Sequence, residues 1–327
     1  MDDQNTQANE PTQPARQPGV PYEALEKLAQ GMLEEQRANR RWRNLFRVAS
    51  LVIALFAIGA ALDMKWGGKP PSTRHSALIE ITGEIDAESS TASVDTVLPA
   101  LQDAFADAGS VGVVLRMNSP GGSPVQSAII NDEIHRLRAL HPSKPLYVVV
   151  EDMCASGCYY IAAAADKIYV SRGSIVGSIG VLMSSFGFTG LMDKLGIERR
   201  LMTAGENKAM MDPFQPQSAG HRAFTQSMLD EIHQQFIAAV KTGRGKRLKP
   251  SPEIFSGLFW TGSKAIDLGL ADALGTVDSV ARDVLKADDL IDYTVREGLS
   301  DRVLKKFGAA VGESMAKTLA ADWFRPR

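Results

Sequence analysis

The chain predicts an α/β protein built on a largely parallel sheet, and three observations carry that reading. Apolar, β-branched runs of strand length recur, such as Pro145-Leu-Tyr-Val-Val-Val150, with the continuous hydrophobicity of a strand buried on both faces. Segments with apolar residues at helical spacing lie between them. Strand and helix then alternate from residue 77 to residue 170, the order expected when crossover helices cover a parallel sheet.

Each element follows from its own pattern. Residues 77–85 read as a strand, and residues 93–108 as a helix on Val94, Val97, Leu98, Leu101 and Phe105. Residues 111–117 form the next apolar strand. Residues 125–140 form a helix on Val125, Ile129, Ile130, Ile134 and Leu137. The strand at 146–150 leads into an alanine-rich helix at 156–165, followed by a short strand at 168–170. Residues 198–203 are strand-like and residues 216–242 read as a long helix. Gly243-Arg-Gly-Lys-Arg-Leu-Lys249 reads as a basic, mobile loop, solvated in preference to touching anionic lipid. Residues 303–319 have the pattern of an amphipathic helix suited to a subunit contact.

The N-terminal quarter has a different character. Residues 1–21 are polar, contain Pro11, Pro14 and Pro18, and are expected to be disordered. Residues 22–44 form a charged juxtamembrane helix. Residues 45–66 are expected to be a transmembrane signal anchor, with an uncharged centre from Val48 to Leu62 and with Arg47 and Lys65 snorkelling at its ends. The segment before the apolar run is too long for the n-region of a cleaved signal peptide. Five arginines, Arg37, Arg40, Arg41, Arg43 and Arg47, face Lys65, Lys69 and Arg74 across it. The positive-inside rule then puts the N-terminus in the cytoplasm and the following domain outside it. Residues 67–76 form a linker, residues 77–290 the globular domain, and residues 291–327 a helical extension. A net charge of −2 with 23% charged residues argues against nucleic acid as a partner.

Three stretches carry chemistry. Ser156, in Ala155-Ser-Gly-Cys-Tyr-Tyr160, stands between a strand and a helix, where free N–H groups and the helix dipole favour an alkoxide. A serine there is otherwise an N-cap. Ser119-Pro-Gly-Gly122 follows a strand and precedes a helix, so Gly121 and Gly122 can turn backbone N–H groups toward a developing oxyanion. Lys208, in Gly205-Glu-Asn-Lys208, is a candidate base. It must be neutral to act, which requires its pKa to fall from about 10.4, chiefly by desolvation. Ser178, in Gly177-Ser-Ile-Gly180, supplies a hydroxyl partner for it. Together these are a serine nucleophile, an oxyanion hole and a lysine base, the parts needed for acyl transfer from an amide.

Asn118-Ser-Pro-Gly-Gly122, Ala155-Ser-Gly157 with Tyr159-Tyr160, Ala165-Asp166, Gly177-Ser-Ile-Gly-Val181 and Gly205-x-x-Lys208 resemble the signal peptide peptidase A family of serine peptidases. The likeness continues through Thr261-Gly262, Ala265, Gly269-Leu-Ala-Asp272 and Gly275, and covers roughly residues 77–285. The resemblance implies a crotonase- or Clp-protease-like superhelix of alternating strands and helices. It implies Ser156 as nucleophile, Lys208 as general base, Ser178 as the residue orienting that lysine, and Gly121 or Gly122 as oxyanion donors. It further implies hydrophobic peptide substrates, including released signal peptides, no cofactor, and a ring of like subunits at the bacterial inner membrane with the catalytic domain on the periplasmic side. A catalytically weak, membrane-tethered scaffold is the rival reading, and the intact serine, lysine and glycine turn speak against it.

Histidine and cysteine sharpen the reading. No histidine lies between Ser156 and His221, so the spacing of a Clp-type Ser-His-Asp triad is not met. His221 and His233 fall in a helical segment, where solvated or capping roles are expected. Cys154 and Cys158, the chain's two cysteines, bracket Ser156 where the family more usually has Ala or Gly. On one regular helix their Cα atoms would lie about 6 Å apart with poorly aimed Cβ vectors. Packing as small hydrophobes is therefore expected over a disulfide. A zinc site would need further ligands that the neighbouring sequence does not supply.

Overall fold

The structure, a computed structural model, describes residues 40–56 and 73–296. They fall in two units, the first holding residues 40–56 and the second residues 73–296. In the first, residues 40–56 form helix α1 with every residue exposed. No helix among the described residues is long and apolar enough to cross a membrane. The expected anchor at 45–66 is described only as far as residue 56. The tail at 1–21, most of the juxtamembrane segment and the helix expected at 303–319 lie outside the described residues.

In the second unit an eight-stranded sheet runs β6-β5-β3-β2-β1-β8, with β4 pairing β3 and β7 off that path. The strands are β1 (His75–Thr82), β2 (Ser110–Ser119), β3 (Leu146–Ala155), β4 (Lys167–Val170), β5 (Ile175–Gly177), β6 (Phe259–Thr261), β7 (Ala273–Leu274) and β8 (Leu290–Asp292). All pairings are parallel except β5 with β6. The expected α/β order is observed. Helices α2 (Val94–Ala106) and α3 (Pro124–Leu140) are the crossovers between β1, β2 and β3. Pro99 lies inside α2, and Ser123 caps α3 by accepting from Gln126 N–H at 3.3 Å. The domain runs past residue 290: β8 pairs with β1, and the Tyr293 N–H donates to the Leu78 carbonyl.

Alternation along the strands explains their continuous apolarity. Val113, Leu115 and Met117 of β2 and Val148 and Val150 of β3 face a core with Leu101 and Phe105 of α2 and Ile130 and Ile134 of α3. Val114 and Val149 point the other way, toward Tyr169, Val280 and Leu285. Both faces are thus covered, as a parallel sheet requires.

Several boundaries differ from the sequence pattern for one reason, pairing that overrides local composition. β3 continues through polar Glu151-Asp152 because Met153, Cys154 and Ala155 pair with Ile175, Val176 and Gly177 of β5. Its first half pairs instead with β4, so the sheet forks along β3. Helix α4 (Gly157–Ala162) is shorter than the alanine run, which goes on as tight turns, Ala164 and Ala165 donating to the carbonyls of Ile161 and Ala162. β1 ends at Thr82, and Ile85 forms only an isolated bridge with Gly122. Residues 198–203 form no strand; a short helix, α5 (Thr189–Leu195), precedes them.

The basic stretch after residue 242 is not a mobile loop. Helix α6 (Ala219–Arg244) runs into it, and a 3₁₀ turn at Gly245–Arg247 follows. Arg244 is 1% exposed. Its guanidinium donates to both carboxylate oxygens of Asp272 at 2.8 and 3.0 Å and to the Gly269 carbonyl at 2.9 Å. Arg247 donates to the carbonyls of Asp166 and Gly243. Spacing showed the charges; burial came from α6 crossing closely over Ala163, whose carbonyl oxygen would lie 1.9 Å from a Cβ on Gly243. Helix α7 (Gly262–Leu268) ends at Gly269, whose φ of 76° and close approach to the Arg247 carbonyl require glycine. The Tyr159 hydroxyl donates to the Leu270 carbonyl at 2.7 Å. Much of the Gly269-Leu-Ala-Asp272 motif is therefore a clamp joining α6, α4 and β4.

Burial alone would raise the Asp272 carboxyl, but hydrogen bonds and charge from Arg244, with the Ile168 N–H and Arg247, outweigh it and hold the pKa below the ordinary 3.8. A depressed carboxyl stabilises the fold above its unfolded value, and that contribution is lost as pH falls through the lower folded value. Asp272→Ala leaves a buried guanidinium unpaired and is expected to cost about 3–5 kcal/mol. Thermal unfolding at pH 7 checks this. The gap between wild type and variant should narrow below pH 4.

Candidate active site

β3 ends at Ala155, and the chain turns into α4 through Ser156 at φ 54°, ψ −124°. Among the described residues only Ser156, Ser178 and Lys286 are non-glycine positions with positive φ, a conformation costing about 1–3 kcal/mol. Two of the three, Ser156 and Ser178, line one cleft of about 700 Å³. The Ser156 N–H donates to the Gly177 carbonyl at 2.9 Å, and its own carbonyl accepts from the Tyr160 N–H at 3.0 Å. Neither bond uses the hydroxyl. The Ser178 N–H donates to the Leu258 carbonyl at 2.8 Å. Gly177, at φ 118°, lies against Trp260, whose ring would be 2.8 Å from any Cβ there.

The glycine turn packs directly on this elbow. A Cβ on Gly121 would lie 2.7 Å from Ser156 Cβ, the Ala155 carbonyl and the Gly157 nitrogen. The turn is held by Ile85, whose N–H donates to the Gly121 carbonyl at 2.8 Å and whose carbonyl accepts from the Ser123 N–H at 2.7 Å. In such a parallel bridge the middle residue, Gly122, points its own N–H away from Ile85. The Gly122 nitrogen lies 3.3 Å from where a Cβ on Gly157 would stand, so it faces the elbow. The two glycines therefore differ. The Gly121 N–H is engaged by Ser119 Oγ at 3.1 Å, whereas Gly122 borders the cleft. Gly157, to which the sequence motif assigned no role, also packs on the turn: its nitrogen would lie 2.7 Å from a Cβ on Gly121.

The cleft wall is mixed: Pro124, Val181, Leu182, Ile232, Phe236 and Phe255 line it together with Glu84, His233, Gln235 and Ser256, and Tyr160 borders it too. Tyr160 stacks on Phe236 with ring centroids 5.0 Å apart. Burial, helped by the charge of Asp132, pushes the Tyr160 phenol up and keeps it neutral. His233 also borders the cleft, and its Nε2 lies 3.1 Å from the Ile179 carbonyl. The helical pattern gave no signal for that contact, because it depends on α6 passing beside the turn that carries Ser178. His221, by contrast, meets Asn207 at the surface, Nε2 to Oδ1, at 3.1 Å.

Lys208 does not line the cleft that holds Ser156. It is exposed in a run of tight turns, its N–H donating to the Gly205 carbonyl at 3.1 Å. Leu182, Phe186 and Met202, which precede it in the chain, are 85%, 79% and 96% exposed, so the stretch leading to the lysine presents large apolar side chains outward.

The cysteines correct the sequence expectation. Cys154 and Cys158 form a disulfide with Cα atoms 5.1 Å apart. They do not share a helix: Cys154 lies one residue before the end of β3, Cys158 is the second residue of α4, and the sharp turn at Ser156 lies between them. Among the described residues no cluster of His, Cys, Asp and Glu is arranged to hold a metal ion.

Residues 138–290 match the model of peptidase family S49. A protease-named protein of Methanocaldococcus jannaschii is 31% identical over 223 residues, 65% of this chain and 71% of that protein. A protein of Enterococcus faecium named for signal peptide peptidase SppA is 33% identical, over 58% of this chain and 55% of its own length. A Brucella melitensis protein named as the Na(+)/H(+) antiporter NhaA is 48% identical over 192 residues, 59% of this chain. The chain spans only about a quarter, 26%, of that Brucella protein.

The close packing of the glycine turn gives a direct test. Gly122→Ala would place a Cβ 2.2 Å from the Ile85 carbonyl at φ 147°, which must push the turn off the elbow. Overpacking of this kind costs about 1–3 kcal/mol. Thermal unfolding should register that loss, and a fluorophosphonate probe should label Ser156 far more slowly than in wild type.

Proposed function

The chain belongs to peptidase family S49, and from that premise we propose that it is a membrane-anchored serine endopeptidase working through a Ser156–Lys208 dyad. The observation that carries this reading is Ser156 held at positive φ in the lining of a cleft, with the backbone nitrogens of Gly122 and Gly157 packed on the same elbow. Strain retained at two serines lining one cleft points to function.

The chemistry follows from that arrangement. A peptide lies in the cleft with its scissile carbonyl over Ser156. The neutral Lys208 amine takes the Oγ proton as Oγ bonds to the carbonyl carbon. Gly122 and Gly157 N–H groups hold the resulting oxyanion, each worth about 3–4 kcal/mol by comparison with other such donors. Collapse breaks the C–N bond, and the lysine ammonium returns its proton to the leaving amine. Water, deprotonated by the same lysine, then hydrolyses the acyl-enzyme. Ser178 orients the lysine.

Since Lys208 stands outside the cleft of its own chain, the lysine comes from a neighbouring copy in a homo-oligomeric ring, and the apolar segment around Leu182, Phe186 and Met202 is covered there. The apolar part of the wall, Val181, Leu182, Ile232 and Phe236, suits hydrophobic peptides, including released signal peptides. The crotonase-like domain stands on the periplasmic side of the bacterial inner membrane, held by the anchor at 45–66 with the N-terminus cytoplasmic.

Ser156→Ala should abolish turnover, Lys208→Ala should nearly do so, and the double variant should be no worse than Ser156→Ala alone. Mixing the two single variants should restore part of the activity if the dyad forms between copies. Full turnover by Lys208→Ala removes the lysine from the mechanism. Ser178→Ala should slow catalysis about ten- to a hundredfold, the effect of a mispositioned base. For topology, a reporter active only outside the cytoplasm should work when fused after residue 75 and fail when fused near residue 30.

A further inference from the structure

The Cys154–Cys158 disulfide encloses Ser156 at its midpoint. Both cysteines are 0% exposed. Cys154 is paired on both sides, with Ser119 of β2 and with Val176 of β5, so one end of the bridge is fixed at the fork of the sheet. Ser119 also receives the Gly121 N–H. The other end, Cys158, lies in the first turn of α4. Between these anchors the chain passes through a serine at φ 54° and a glycine. Glycine adds backbone freedom at the point where the nucleophile must be held still. The backbone bonds at Ser156 are one from its N–H and one to its carbonyl.

We propose that this disulfide is a positioning element for the nucleophile: the covalent ring of residues 154–158 holds Ser156 in its positive-φ conformation against the glycine turn, and the oxidised form is the one competent for acylation. The proposal rests on the reading of Ser156 as nucleophile. Its consequence is a dependence of catalysis on redox state. A dithiol reductant supplies the electrons. One of its thiolates attacks a cysteine sulfur, forming a mixed disulfide and releasing the other cysteine as thiolate, which takes up a proton. The reductant's second thiol, losing its proton, then displaces the remaining cysteine. The products are two cysteine thiols and the cyclic oxidised dithiol, two electrons having passed to the protein. With the ring opened, Ser156 can relax toward ordinary φ, and its Oγ leaves the line of attack.

Purified full-length protein in detergent is compared in three forms: oxidised, reduced with dithiothreitol during brief partial denaturation and returned to native buffer, and reduced then reoxidised. A Cys154→Ala/Cys158→Ala variant supplies a fourth form that needs no reductant. Alkylation and mass spectrometry count the thiols, and a fluorophosphonate probe reports the acylation rate of Ser156, with Ser156→Ala as the blank. Labelling and kcat should fall ten- to a hundredfold in the reduced and double-alanine forms, the scale of a nucleophile displaced by about 1 Å. KM should stay near wild type, and reoxidation should restore the rate. A purely structural staple would instead lower the thermal midpoint and leave kcat unchanged in protein that remains folded at the assay temperature. Equal labelling rates in folded oxidised and reduced wild type overturn the proposal while leaving the nucleophile in place. Two free thiols in protein isolated from an oxidising compartment overturn it as well. If folded, oxidised protein takes no label at Ser156, the nucleophile reading itself falls, and this inference with it. Should the double variant not fold, the wild-type comparison decides alone.

Discussion

The fork along β3 is the constraint on which the rest of the site depends. Residues 147–150 pair with β4, and residues 153–155 pair with β5. The same strand therefore serves two neighbours in succession, and its last pairing is completed by the Ser156 N–H donating to the Gly177 carbonyl. Having spent that N–H on the sheet, the chain must leave the strand at once if α4 is to cover the core. The turn is made at Ser156 itself, at φ 54°. The same bond ties Ser156 to the residue before Ser178. Two strained serines share a cleft because one strand end is stitched to another.

That stitching also sets the scale of tolerance around the elbow. Gly121, Gly122, Gly157 and Gly177 each stand where a Cβ would meet a neighbour at 2.8 Å or less, so backbones here approach more closely than side chains permit. Interiors packed this tightly transmit small displacements instead of absorbing them. The Arg244–Asp272 clamp works at longer range. It holds α6 against α4 and β4, and α6 carries His233 and Phe236 to the cleft wall. A loss of that ion pair would therefore reach the substrate wall as well as the core.

How much of this was legible in the sequence follows from what each signal encodes. The strand–helix order was readable because burial on both faces leaves unbroken apolar runs, as at Val148-Val149-Val150. The extension of β3 through Glu151-Asp152 was not, because it depends on a partner strand more than twenty residues away. Ser156 and the glycine turn were readable as a constellation, yet the distinction between Gly121 and Gly122 required knowing that Ser119 Oγ takes up one N–H. The disulfide was misread for a geometric reason. A four-residue spacing suggests one helix, whereas here a positive-φ residue stands between the two cysteines. The burial of Arg244 was invisible because a run of basic residues has the same composition whether solvated or clamped.

The placement of Lys208 has a physical logic of its own. A lysine enclosed beside the serine within each newly folded chain would bring desolvation cost into the folding of that chain, and it would create a working peptidase before assembly. In the structure Lys208 is exposed. If association covers the segment from Leu182 to Met202, the apolar area buried there can offset the desolvation that turns the lysine into a base, since burying a side chain of leucine or phenylalanine size contributes about 1.5–3 kcal/mol. Leu182, Phe186 and Met202 together offer a gain on the scale of the roughly 4 kcal/mol needed to lower a lysine pKa by three units, to be set against the cost of association. On the proposed reading, the energy that activates the base would come from assembly, and peptidase activity would be tied to the oligomer.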